Sequence, residues 1–139
     1  MIDIWEIDRL WRVYRTVEKD LVAVDSYVEP GQNNVYSVVF KKIILLSGAL
    51  IEEAFKKLCA IIAPEERPGN IGEYKKIILS SIPAICSIKI CVQSWNYQMV
   101  QPFSDWAEKD SKLSFWEVYN TIKHNPDNIK KSTFALLLI

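Results

Sequence analysis

Apolar residues recur at alternating spacings of three and four along the first part of the chain. Ile7, Leu10, Tyr14, Val17, Leu21, Val24 and Val28 line one helical face over about six turns. Asp8, Arg12, Arg15, Lys19 and Asp25 occupy the opposite side. Asp3 followed by Glu6 has the form of a capping box, and Pro30-Gly31 is a stop, so the pattern predicts a helix over residues 4–28. A second stripe, Val39, Ile43, Leu46, Leu50, Ala54, Leu58 and Ile61 or Ile62, predicts a helix over residues 35–63. Glu52 with Lys56 and Glu53 with Lys57 are four-apart pairs in the favourable order, each worth about 0.3 kcal/mol on an exposed face. Only Gln32, Asn33 and Asn34 extend the turn after Pro30-Gly31, which makes the two helices an antiparallel hairpin.

The periodicity then breaks. Pro64 to Gly69 reads as a loop, and Asn70 with Glu73 as the cap of a third helix reaching about Leu79. Between residues 80 and 103, Pro83 and Pro102 bracket a β-branched stretch, Ile85 to Val92, whose sense is extended: a small hairpin or an ordered loop. Ser114 with Glu117 forms a further capping-box pattern opening a helix from Phe115 to His124, with Phe115, Val118 and Ile122 as its stripe. Pro126 disfavours helix at Asn125 and ends it. The chain closes on Phe134-Ala135-Leu136-Leu137-Leu138-Ile139, a run that either tucks into the core or marks a fragment of a longer chain. The expectation is a single domain over residues 1–139, mainly α: an antiparallel helical bundle built on two long helices, with a small irregular or β-hairpin insertion. There is no internal repeat and no linker composition.

Composition narrows the classes. Of 139 residues, 50% are apolar and 24% charged, which suits one buried core and excludes a disordered tail. Seventeen basic residues balance 17 acidic ones, against a strongly basic nucleic-acid coat. Cys59, Cys86 and Cys91 are odd in number and form no CxxC pair, and His124 is the only histidine. Neither a disulfide framework nor a zinc site is expected, and the cysteines read as reduced thiols of a cytoplasmic protein, Cys86 and Cys91 as small buried apolar residues. Asp3, Glu6, Asp8 and Arg9 break any signal-peptide pattern, and the apolar-rich run Ile77–Ile88 is too short to span a bilayer. No nucleotide, zinc-protease or serine-hydrolase motif occurs, so no cofactor and no metal are expected.

The segment Trp116 to His124 carries the candidate chemistry. Glu117, Asn120 and His124 share one helical face. An imidazole at a helix C-terminus is favoured as the cation, and beside an amide it can act as general acid or base or grip a phosphate. From the residues alone the plainer reading is that His124 and Lys123 are charges complementing the helix dipole, with Asn120 an exposed polar position.

The stretch PFSDWAEKDSKLSFWEVYNTIKHN resembles the "PF..W…WW..YN.iKH" pattern of bacterial HEPN-like proteins, and SGALIEEAFKKLC is similar to an "E..lK.lc" part of that group, where a glutamate sits inside the bundle. The resemblance implies an all-helical domain of the kind found in RNA-targeting toxins and phage-defence systems. Many such domains carry an R-N-x-x-x-H motif that cleaves RNA without metal at a dimer interface. Asn120 and His124 match the Asn and His of the motif, as its catalytic pair; the arginine position falls on Tyr119. A neutral phenol does not replace a guanidinium on a scissile phosphate, and Lys123 offers only a point charge. Tyr119 and Lys123 are thus expected as RNA contacts. The resemblance implies an assembly and RNA-interaction module with a degenerate motif; an active metal-independent endoribonuclease using His124, and an unrelated helical interaction protein, are the alternatives.

Trp5, Trp11, Trp106 and Trp116 read as core or interface anchors rather than base-stacking platforms. Trp95, Tyr97 and Phe103 either cover the hairpin or form an aromatic patch. Arg9, Arg12, Arg15 and Lys19 would make a basic strip, but Asp8, Glu18 and Asp20 interleave them into a mixed face. The apolar faces of the two long helices are wide for a chain of this size, which predicts a homodimer or dependence on a cognate protein partner.

Overall fold

The computed structural model describes residues 3–28, 35, 37–92 and 98–125. It is mostly helical: α1 (Ile4–Asp25), α2 (Val38–Ile62), α3 (Ile71–Ser81) and α4 (Ser114–His124). Between α3 and α4 lie a 3-10 turn (Pro83–Ser87), two short strands and a second 3-10 turn (Ser104–Ala107). The strands, β1 (Ile90–Val92) and β2 (Gln98–Val100), pair antiparallel with Ile90 opposite Val100 and Cys91 opposite Met99. Two long packed helices are the architecture the sequence predicts; of the two insertions it allows, irregular or β-hairpin, the structure has a short hairpin, and Ile85 to Ser87 lie in a 3-10 turn rather than in the extended stretch expected over Ile85 to Val92. Trp95 and Tyr97, and the C-terminal run from Phe134 to Ile139, lie outside the described residues.

Helix α1 runs antiparallel to α2, and ion pairs at both ends fix the direction. Arg9 bonds Glu53 and Glu6 bonds Lys57 near one end, while Lys42 meets Asp20 at 2.7 Å near the other. Glu53 and Lys57 therefore reach across to α1 instead of pairing along α2; Glu52 and Lys56 do pair along the helix, at 2.9 Å. Asp3 caps α1 by accepting from the Trp5 N–H, but Glu6 is drawn to Lys57 and does not close a capping box. The helix ends at Asp25 rather than Val28. The Tyr27 and Val28 N–H groups both turn to the Val24 carbonyl, and the Ser26 hydroxyl donates to that of Val22.

The apolar stripes are rotated from those expected. On α1 only Val17 and Val24 are buried; Ile7 and Tyr14, placed on the core face by periodicity, are exposed. On α2 the buried line is Phe40, Ile44, Gly48, Phe55 and Cys59, with Ile43 beside it, whereas Val39 and Ile61 face outward. This helix is apolar on most of its circumference, so spacing alone does not fix its phase. Cys91 is exposed on β1, against the expectation of a buried thiol.

The main core gathers around Phe55, whose ring lies 5.4 Å from that of Trp106 and about 6 Å from those of Tyr74, Phe103 and Trp116. Trp106 and Trp116 are anchors here, and Phe103 covers the cluster from the irregular segment. A smaller cluster of Val17, Val24, Phe40 and Ile43 joins α1 to α2. The expected Ser114–Glu117 box does not form at α4. The Ser114 N–H is instead satisfied by the Asp105 carboxylate at 3.3 Å, so the preceding 3-10 turn caps the helix.

Candidate functional site

Helix α4 crosses α2 at Gly48. A Cβ built on Gly48 would overlap the Tyr119 ring, so the missing side chain is what lets α4 lie this close. Trp116, Tyr119 and Ile122 are the buried face of α4, and Tyr119 is only 4% exposed. One turn beyond Gly48 on α2, the same face presents Glu52.

Glu52 is the hub. Its Oε2 accepts from the Tyr119 hydroxyl at 3.0 Å and from Lys123 Nζ at 3.2 Å, while Oε1 accepts from Lys56 Nζ at 2.9 Å. Lys123, one turn after Tyr119, also stands 5.2 Å from the centre of the Tyr119 ring, within cation–π range. The hydrogen bond from Lys56 holds the Glu52 carboxyl below the usual carboxylate range, with Lys123 and Tyr119 adding to it against partial burial. Burial pushes the Tyr119 phenol up, and its bond to Glu52 adds to this while Lys123 opposes it. Lys123 is raised by Tyr119 and Glu52, and Lys56 by Glu52. Every shift moves its group further from neutrality. One carboxylate on α2 thus joins two side chains of α4 and Lys56, and the cluster is a lock between the two helices.

Of the four residues singled out by sequence, the structure brings Tyr119 and Lys123 together on Glu52. Asn120 and His124 lie on the neighbouring strip of α4, about 100° around the helix. Asn120 is half-buried and His124 exposed in the last turn, and neither side chain has a hydrogen bond or ion pair among the described residues. Glu117 shares that strip and meets Lys112 at 3.8 Å. Two residues of the site were not singled out from sequence. Gly48 could have been suspected as a glycine within a strongly apolar helix, but its aromatic partner lies 71 positions away. Glu52 was visible as half of a surface pair, and the resemblance placed a glutamate inside the bundle; Tyr119 and Lys123 draw it partly in.

Among the described residues, no group of three or more His, Cys, Asp or Glu side chains could hold a metal ion, and no helix is long and apolar enough to cross a membrane. No protein-family model, curated protein or solved structure matches this chain.

Beside the lock, α1, α2, α4 and β1 leave an apolar cavity of about 330 Å³, with Leu21, Ile51, Phe115 and Val118 among its walls. Gly48 and Tyr119 form part of its lining, so the cavity and the lock share a wall.

Proposed function

We propose that the chain is an HEPN-like helical domain of a bacterial defence or toxin-type system, acting as an assembly and RNA-interaction module whose motif no longer supports cleavage. The observation that carries this reading is the fate of Tyr119. It stands where the family motif places an arginine, its ring is buried against Gly48, and its hydroxyl is committed to Glu52. Lys123, the nearest substitute cation, is neutralised by the same carboxylate. Among the described residues, Asn120 and His124 have no charged partner to stabilise a phosphorane-like transition state. The Lys123 head group is still partly open to solvent, which suits a phosphate contact that positions RNA without cutting it.

The active-endoribonuclease reading draws on one observation, the exposure of His124 on the strip it shares with Asn120. The two readings separate by light scattering and RNA binding on the same samples. The proposal expects a homo-oligomer whose mass and RNA affinity are unchanged by His124→Ala and whose assembly is weakened by Leu21→Asp or Leu50→Asp. A monomeric wild-type protein at tens of micromolar would contradict the assembly role.

A further inference from the structure

Helix α1 has two unlike halves. The N-terminal half projects Ile4, Trp5, Ile7 and Trp11 into solvent, with Trp5 75% and Trp11 58% exposed. The C-terminal half, together with α2 and β1, borders a hollow of about 660 Å³ walled by Tyr14, Leu21, Val22, Leu50, Ile51 and Ile90. Among the described residues, one end of the helix thus carries apolar side chains without a covering neighbour, and the other borders a largely apolar recess that none of them fills.

Positions 4, 7, 11, 14, 18 and 21 follow the three-four spacing of a helix–helix seam. Read backwards, the run maps onto itself: Ile4 falls opposite Leu21, Ile7 opposite Glu18, and Trp11 opposite Tyr14. Resting on the assembly reading above, we propose that a second copy of this chain docks antiparallel along α1 about a two-fold axis, each copy placing Ile4 and Ile7 in the other's hollow. Such an interface is isologous and closes at two copies. The Trp11–Tyr14 stack within one chain, with centroids 5.0 Å apart, meets its symmetry mate at the centre as a four-ring cluster.

Charge selects the direction. Asp8 and Arg15 flank the seam on the side away from α2. In the antiparallel arrangement the like flanks of the two copies adjoin and Asp8 of each copy comes beside Arg15 of the other, whereas a parallel arrangement puts these flanks on opposite sides of the seam and gives neither residue that partner. Asp8 already accepts from Arg12 at 2.7 Å, and Arg15 has no ion-pair partner among the described residues. Glu18, the one charged position within the seam, is engaged by the Tyr14 hydroxyl at 3.1 Å. A polar position of this kind fixes register at some cost in stability.

The test is sedimentation equilibrium of the full chain, with circular dichroism to show that each variant is folded. Wild type is expected as a dimer. Arg15→Asp, a change at an exposed position, should weaken it by about tenfold or more, because like charges then face each other twice. Trp11→Asp should give monomer. The double exchange Asp8→Arg with Arg15→Asp should restore the dimer. A wild-type dimer indifferent to Trp11→Asp and Arg15→Asp would overturn this seam while leaving the assembly reading in place. A double exchange that fails to recover association would overturn the antiparallel pairing. A monomeric wild type would remove both the seam and the reading on which it rests.

Discussion

Glu52 holds three donors on two oxygens, and the donors answer to different ends of the pH scale. Its own pKa is depressed, so the stability it contributes is present above the ordinary glutamate range and is lost as pH falls through the lowered folded value. Glu52→Gln should therefore flatten the acid limb of a urea-midpoint profile below about pH 4.5. Tyr119 and Lys123 are both raised; their contribution is complete below their ordinary values, about 10, and is lost only as pH rises through the folded ones. Tyr119→Phe keeps the ring and deletes the bond to Glu52, a loss of about 1 kcal/mol in chemical denaturation. Gly48→Ala drives a methyl into the Tyr119 ring and should cost about 1–3 kcal/mol despite improved helix propensity, with α4 displaced. An unchanged or raised midpoint for Gly48→Ala would show that α4 does not need this close approach. Sequence sets Tyr119 where the motif it resembles has an arginine, yet does not say what the tyrosine does, because its partners Gly48 and Glu52 come from a distant helix.

At the scale of elements, the existence of the helices was legible and their phase was not. All four stand within a few residues of the predicted spans, because Asn70, Asp3 and the prolines punctuate the chain locally. Asn70 accepts from the Glu73 N–H at 3.0 Å, and the Glu73 carboxylate accepts from Gly69 N–H at 2.6 Å. Asn70→Ala should accordingly cost about 1 kcal/mol in thermal or chemical unfolding. Capping signals fail where a tertiary contact supplies the partner. Asp105 stands in for Ser114 at the start of α4, so Asp105→Ala should destabilise by about 1 kcal/mol while Ser114→Ala stays within about 0.5 kcal/mol. The reverse order would restore the local capping box. The hairpin between β1 and β2 is too short for periodicity to distinguish it from an ordered loop, and β-branched composition was the only sequence signal for it.

For the whole molecule, the burial pattern matters more than the element list. The aromatic core around Phe55 ties α2, α3, α4 and the irregular segment into one unit. Helix α1 is held more lightly, by a four-residue apolar cluster and by ion pairs at its two ends. Its outward tryptophans are legible as anchors from composition, but only the packing tells them apart from Trp106 and Trp116, which anchor the chain's own core. Its Trp11 and Tyr14 rings face solvent, on the surface where the proposed second copy would dock. In the function proposed above, α4 carries a closed motif that does not cut RNA and α1 an open face. The measurement that bears on this most directly is cleavage of structured RNA in EDTA by folded wild-type protein beside His124→Ala. No turnover is expected from either. Metal-independent cleavage by wild type, abolished in His124→Ala, would contradict the proposed function and would show that catalysis proceeds with Tyr119 where the motif has arginine.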